Sequence, residues 1–377
     1  MAGILFIVAI LLALLYIGNR FFPNNPLNNL AKSLFFKQPE RYSVGTHVII
    51  SGGSKGIGKS LAKKFAELGT HVTIVARNEK DLLAAKAEIE KHRKNTHVQK
   101  IRTVSLDLTT ITFPCNANSD INEQQRELLD KILGEHERCD ILVNCCGSAI
   151  PARFDDISQE QFHHMMQVNY FSAVNLTRVL LPIMKARSLA NKVTFKATPN
   201  GRIVFVSSMC GLMSFFGYSA YSASKFALVG LAEALQMELR PFDIGVTLSF
   251  PPDTDTPGFE EENKIKPNVT AEISKVGSIY SPDDVAQAII RDLRARRFYS
   301  TVGLENWLVL MACNSFMPSS LGRVLGECLL AGPLKLLAYF ILRSWYKLVD
   351  RSASNEIIRA EIALKCSKNQ SSNKKSE

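Results

Sequence analysis

The chain has 377 residues, 46% of them hydrophobic, and sets 45 Lys+Arg against 35 Asp+Glu for a net charge of +10. That apolar content builds one large core with additions, which excludes a chain disordered throughout. The basic residues are scattered and not interleaved with aromatics, so they argue against a nucleic-acid face and for an anionic cofactor or a membrane side.

The first element in chain order is residues 2–18, an uncharged apolar run of seventeen residues, close to the lower limit for crossing a bilayer. No basic stretch precedes it, and Asn19-Arg20-Phe21-Phe22 follows in place of a small-residue cleavage site. A retained anchor over residues 1–22 is therefore expected in preference to a cleaved signal peptide. Arg20, Lys32, Lys37 and Arg41 lie just after it, and the positive-inside rule assigns that side to the cytosol. Residues 23–42, rich in Pro and Asn, read as a linker.

From about residue 43 to 300 strands and helices alternate. THVIISGG, HVTIVAR, IRTVSLDL, CDILVNCCG, GRIVFVSS and IGVTLSFPP read as strands, with amphipathic helices between them. Among those helices are residues 79–94, about 122–137, one long region from Gln159 to about Arg187, and one starting near Tyr221. The pattern predicts an α/β, doubly wound parallel sheet of Rossmann type, covered on both faces. Residues 188–200 read as a polar surface insertion.

Past residue 300 two apolar stretches, about 304–317 and 324–342, are broken by Glu305, Pro318, Glu327, Pro333 and Lys335. They suit marginal spans, interfacial helices or an apolar lid, so residues 301–345 are expected to be membrane-associated. A basic tail, 346–377, ends Lys374-Lys375-Ser376-Glu377. That ending resembles the dilysine signal for return to the endoplasmic reticulum, and it requires a cytosolic tail. Asn369 of NQS is accordingly expected to be unglycosylated.

Chemistry concentrates at three places. Residues 51–58, SGGSKGIG, follow the first strand and open the first helix. Gly52, Gly56 and Gly58 let backbone N–H groups approach a pyrophosphate, with Ser54, Lys55 and Ile57 in the same turn. At the end of the second strand, where an acid would hold the ribose 2′-hydroxyl of NAD, stands Arg77. With Ser54 and Lys55 it suits a 2′-phosphate, so NADPH is expected over NADH. Tyr221 and Lys225 share one helix face at i and i+4, where an ammonium beside a phenol is expected to lower its pKa. Ser208, with Ser207 as the weaker alternative, ends a strand thirteen residues before Tyr221. Two hydroxyls on one carbonyl oxygen would polarise it, the tyrosine delivering the proton.

The eight cysteines, at 115, 139, 145, 146, 210, 313, 328 and 366, lack zinc-ligand spacing and the density of a small secreted scaffold. No metal is expected, and the thiols read as reduced in a cytosolic setting. Adjacent Cys145 and Cys146 read as small buried hydrophobes, and His163 and His164 as surface residues.

Together these motifs resemble the short-chain dehydrogenases/reductases over roughly residues 44–300. The glycine turn matches TGxxxGIG with Ser51 for the threonine, and YSASK matches YxxxK. By the resemblance, Asp107 of LDL contacts adenine with Leu108 beside it, and Asn144 and Gly147 match the NNAG strand end, here NCCG. Asn169 of VNY matches the asparagine that holds a proton-relay water. A narrower resemblance, to the 3-ketodihydrosphingosine reductases, rests on FPPDTDTPGFEEEN from Phe250. Its prolines suit a rigid loop over the nicotinamide, with Pro251 and Thr254 as cofactor contacts.

What the resemblance implies is NADPH-dependent reduction of 3-ketosphinganine. Ser208 would hold the oxygen, Tyr221 protonate it, Lys225 bind the nicotinamide ribose and lower the tyrosine's pKa, and Asn169 complete the proton path. The alternatives are a membrane-bound reductase of ketosteroids or 3-ketoacyl-CoA, and a non-catalytic cofactor-binding scaffold. A long-chain lipid ketone, the membrane and a second copy of the chain are the expected partners, and nucleic acid is not.

Overall fold

Strand β1 (His47–Ser51) is buried along its whole length and pairs in parallel with β2 (His71–Ala76) on one side and β4 (Ile141–Asn144) on the other. Such continuous apolar strands need cover on both faces, and the helices between them supply it. These coordinates are a computed structural model that describes Tyr42, residues 45–111, 123–193 and 201–313, and scattered helical residues between 329 and 347. With β3 (Ile101–Ser105), β5 (Arg202–Val206), β6 (Gly245–Ser249) and β7 (Tyr299–Ser300) they form one parallel seven-stranded sheet of order β3-β2-β1-β4-β5-β6-β7. The chain order reverses between β1 and β4, and a crevice opens there beyond the carboxyl ends of the strands.

Alternate residues of each strand feed two cores. Ile49, Leu142, Ile203 and Phe205 pack with α3 (Glu123–Leu133), α5 (Ser172–Val193) and α6 (Ser219–Glu238). Val48, Ile50, Val143 and Val204 pack with α1 (Gly56–Glu67), α2 (Glu79–Glu90) and α9 (Pro282–Arg294). The doubly wound sheet expected from the alternation is therefore the observed architecture. Beyond β6 the chain adds α7 (Pro257–Ile265) and α8 (Asn268–Ser274), and after β7 it adds α10 (Leu304–Ala312).

Several boundaries differ from the sequence reading. β7 was not expected, because two residues are too short to show a period. The long helix from Gln159 is broken: α4 (Gln159–Met166) passes through a π-helical turn, Gln167–Phe171, into α5. α5 runs on to Val193 and buries Ser188, so the first part of the expected surface insertion is helix. α10 is nine residues long and buries Leu310 and Met311 against the domain. The folded unit thus extends past the expected boundary at 300, and this part of the 304–317 stretch does not span a bilayer. No helix among the described residues is long and apolar enough to cross a membrane. The expected anchor over 1–22 and the tail beyond 347 with Asn369 lie outside the described residues, as does the linker apart from Tyr42, which is buried in the α1-side core.

At the sheet end opposite the crevice, the His47 ring stacks 4.4 Å from that of His136, which stacks 4.2 Å from that of His71. His47 is fully enclosed, its Nδ1 2.6 Å from the Arg138 carbonyl oxygen and its Nε2 2.8 Å from Thr73 Oγ1. Burial pushes the pKa of His47 down to about 3 and that of His136 to about 4, and Arg102 adds repulsion at both rings. In the unfolded chain these rings titrate near 6.5. The folded protein therefore binds fewer protons, and stability held above pH 6.5 is lost as the pH falls. We expect His47 alone to cost roughly 2–3 kcal/mol of unfolding free energy between pH 7 and pH 4.5. Urea unfolding at the two pH values checks this; a His47→Gln protein with the same acid slope as the wild type would refute it.

Candidate active site

The crevice is built from the turns that leave β1, β4, β5 and β6. After β1 the chain makes its glycine turn: the Gly52 N–H donates to the Val75 carbonyl at 2.8 Å, and Gly52 has φ +67°. A Cβ there would lie 2.8 Å from the Cys145 carbonyl oxygen, and one on Gly58 would collide with the backbone of Gly52. Only backbone fits at these points, and α1 starts there with no acid in its first turn. That is a cradle for a pyrophosphate at a helix N-terminus. Ile57 lies in this first turn and packs against the α1-side core. Gly53, which the sequence reading passed over, is needed equally, because a Cβ on it would meet Ile74.

Ser51 ties this turn to its neighbour. Its hydroxyl accepts the Cys145 N–H at 3.0 Å and the Cys146 N–H at 3.3 Å, so the NCCG departure from the family pattern is accommodated. The two thiols diverge, Cys145 packing against the α1-side core and Cys146 against the α5-side core. Burial raises both, Cys145 to about 12, which leaves them protonated and unreactive. Asn144 is buried, and its Nδ2 donates to Thr177 Oγ1 at 3.0 Å while its Oδ1 has no partner among the described residues.

The residues expected to grip the adenosine end lie on the far lip. Arg77 is exposed just past β2, and its guanidinium makes no ion pair among the described residues. Lys55, expected beside it, is instead paired with Asp81 of α2 at 2.7 Å. Ser54 is half-exposed in the same turn. Asp107 accepts from Thr109 N at 2.9 Å and Thr109 Oγ1 at 2.7 Å; these bonds hold its carboxyl below the usual range. Leu108 is buried in the core, and its carbonyl accepts from Asn175, so its side chain is not available to a ligand.

The chemical end is formed where β5 meets α6. The Ser208 hydroxyl accepts the Cys210 N–H at 3.2 Å and lies close enough to the Tyr221 phenol to oppose its rise in pKa, while Ser207 turns inward and donates to the Lys225 carbonyl at 3.0 Å. Ser207 is thereby committed to holding the helix. Lys225 is buried with its Nζ 3.1 Å from the Val206 carbonyl and 5.7 Å from the centre of the Tyr221 ring. Gly147 makes room for it, since a Cβ there would stand 3.1 Å from Nζ.

The expected lowering of the tyrosine's pKa is not what the fold produces. Burial pushes the Tyr221 phenol well above its ordinary value, with Cys210, Glu262 and Asp253 adding to the rise. Burial also brings Lys225 down to about 8. Taking both groups out of water favours their neutral forms, and burial is the largest cause of both shifts.

Asn169 stands in the π-helical turn with no exposed surface. Its Oδ1 accepts the Ser148 N–H at 2.9 Å, and its Nδ2 donates to the Ser148 carbonyl at 3.0 Å and to Ser224 Oγ at 2.9 Å. Its amide is fully used, so any hold on a relay water falls to its backbone. π turns of this kind recur at functional sites. His163 and His164 are exposed on α4, as surface residues should be.

The loop after β6 closes the site. Pro251 accepts the Met209 N–H at 3.0 Å, and Thr254 is buried with its hydroxyl donating to the Pro252 carbonyl at 2.8 Å. Tyr218, which the sequence reading did not single out, hydrogen-bonds Glu262 of α7, and Glu262 pairs with nearly buried Lys266 at 3.3 Å. This link bridges the start of α6 to α7 across 44 positions, a distance at which no local pattern signals it.

A glycine cradle at the switch point of a parallel sheet, joined to a Ser–Tyr–Lys group, defines a nicotinamide-dependent oxidoreductase. The chain belongs to the short-chain dehydrogenase family, whose sequence profile matches residues 46–266. It is 38% identical to the 3-ketodihydrosphingosine reductase of Bos taurus, over 81% of this chain and 86% of that one. It is likewise 38% identical to the 3-dehydrosphinganine reductase of Danio rerio, with the same coverage. The 3-dehydrosphinganine reductase TSC10A of Arabidopsis thaliana is 33% identical, over 81% of this chain and 86% of that one.

Proposed function

We propose that this protein reduces 3-ketosphinganine, a long-chain 2-amino-3-ketone, to sphinganine with NADPH. The observation that carries the reading is the 38% identity, over four-fifths of the chain, to reductases bearing that substrate's name. The Ser208–Tyr221 pair supports ketone chemistry, because an oxygen bound between the two hydroxyls receives two donors at once.

When bound, the nicotinamide supplies the hydride. Ser208 orients the carbonyl oxygen, and Tyr221, kept protonated by burial, donates its proton to the developing alkoxide. Lys225 would hold the nicotinamide ribose, and its ammonium, 5.7 Å from the centre of the Tyr221 ring, would stabilise the phenolate left behind. Asn169 holds the Ser148 turn and the Ser224 hydroxyl in place around that lysine. Gly52, Gly56 and Gly58 would hold the pyrophosphate, and Thr254 and Pro251 the nicotinamide side.

Preference for the phosphorylated cofactor rests on Arg77. We expect Arg77→Ala to raise the KM for NADPH about 10- to 100-fold, the loss of a charge-assisted contact, and to move that for NADH by less than about twofold. Steady-state kinetics with both cofactors check this, and equal losses would refute it.

The proposed location is the membrane of the endoplasmic reticulum with the catalytic domain toward the cytosol, supported by the apolar run at 2–18 and the Lys374-Lys375 ending. The test of function is turnover by membranes carrying the full chain, given 3-ketosphinganine, a ketosteroid and a 3-ketoacyl-CoA, each with NADPH and NADH. Reduction of the first with NADPH is expected. Turnover of either other ketone in its place would overturn the reading.

A further inference from the structure

The loop that leaves β6 crosses the site from the catalytic serine to the glycine turn. At one end the Pro251 carbonyl accepts from Met209, the residue after Ser208. At the other, Thr256 packs on Gly56, where an added Cβ would stand 3.0 Å from the threonine methyl. Midway is Asp253, and the backbone around it is fixed. The Tyr280 N–H donates to the Asp253 carbonyl at 2.9 Å, the Asp255 N–H returns to the Tyr280 carbonyl at 2.9 Å, and Thr254 bonds Pro252. The Asp253 side chain is half-buried, and its carboxylate accepts no hydrogen bond among the described residues.

A second carboxylate faces the same space, but it is already engaged. Glu262 accepts from the Tyr218 hydroxyl and pairs with Lys266, whose ammonium also lies 4.6 Å from the centre of the Phe259 ring. One lysine faces two carboxylates, pairing with Glu262 and attracting Asp253 at longer range, so the group carries more negative than positive charge beside the reacting hydroxyls. That charge opposes phenolate formation, since Asp253 and Glu262 both push the Tyr221 phenol up, and burial raises the Asp253 carboxyl itself. A partly desolvated carboxylate with no ion pair of its own, next to a general acid, is costly unless a cation arrives with the ligand.

We propose that Asp253 recognises the protonated 2-amino group of the substrate. The inference rests on the functional reading above. Independently of the carboxylates, the Ser208–Tyr221 pair fixes where the reacting carbonyl oxygen must lie. In a 2-amino-3-ketone the nitrogen is borne by the carbon next to that carbonyl, which brings the ammonium to the adjacent wall of the site. Ketosteroids and 3-ketoacyl thioesters carry no cation there, so the same carboxylate that attracts the amino ketone disfavours them.

The test compares kcat/KM of the full-length chain for 3-ketosphinganine and for the same ketone with hydrogen in place of the amino group. The wild type is expected to favour the amino ketone, and Asp253→Asn to cut that preference about 10- to 100-fold, as for a lost charge-assisted hydrogen bond. Asp253→Glu should keep most of it. A wild-type preference near unity overturns the proposal without any variant, which covers the case of a protein that fails to fold. A preference unchanged in Asp253→Asn overturns it as well. If the wild type instead leaves 3-ketosphinganine unreduced, the functional reading itself falls.

Discussion

Tyr221→Phe is expected to lower kcat for ketone reduction by at least about a hundredfold, within the 10²–10⁴ that general acids contribute, while cofactor affinity and thermal stability stay close to wild type. The ring is held by neighbours that do not need its hydroxyl. Its centre lies 5.6 Å from that of Tyr218, and it packs against the small cluster of Ile157, Met165 and Ala220. Phenylalanine keeps these contacts and removes only the hydroxyl that faces Ser208. The measurement is single-turnover reduction alongside cofactor binding by fluorescence. A variant retaining more than about a hundredth of the wild-type kcat would show that the proton comes from elsewhere.

Lys225→Met should be at least as damaging, with kcat/KM down by about 10²–10³, the size of losing one preorganised electrostatic donor. Methionine fills a comparable volume, so the loss of charge is tested apart from a cavity. The wild type gives a second handle. Burial sets the Lys225 pKa at about 8, and the charged form is the one that steadies a phenolate and binds ribose hydroxyls. Charge is therefore lost as the pH rises through that value, and reduction should decline on the alkaline side. In Lys225→Met this limb should vanish together with most of the activity. An alkaline limb preserved in the variant would assign it to another group.

Features written in contiguous residues were open to reading from the sequence alone. The glycine turn between a strand and a helix is local, and so is the four-residue spacing of Tyr221 and Lys225. The alternation of elements carried the parallel, doubly wound sheet, because strands joined by helices have few other permitted windings. What escaped depends on residues far apart in the chain. Tyr218 meets Glu262 only after α7 folds back on the start of α6, and Asp253 joins that group through the loop before α7. The direction of the tyrosine's shift escaped for the same reason: the spacing shows the lysine, whereas the burial that outweighs it is a property of the assembled core. Lys55 was misplaced because its partner Asp81 belongs to the next helix. Asn169 was found, but the π turn that spends its amide on Ser148 and Ser224 leaves no periodic trace.

The seating of α10 bears on how the protein can be produced in shortened form. Leu310 lies in the same core as Phe298 and Tyr299, and the Tyr280 hydroxyl fastens Glu305 at the head of that helix. A gene cut after Ser300 would leave β7 as a two-residue border with its apolar flank bare, an invitation to edge-to-edge sticking and inclusion bodies. Ending the gene beyond Cys313 keeps that flank covered and carries none of the apolar stretch that begins at about 324. The extra thirteen codons therefore decide whether that flank is covered, and the longer product is expected to be the more soluble on expression.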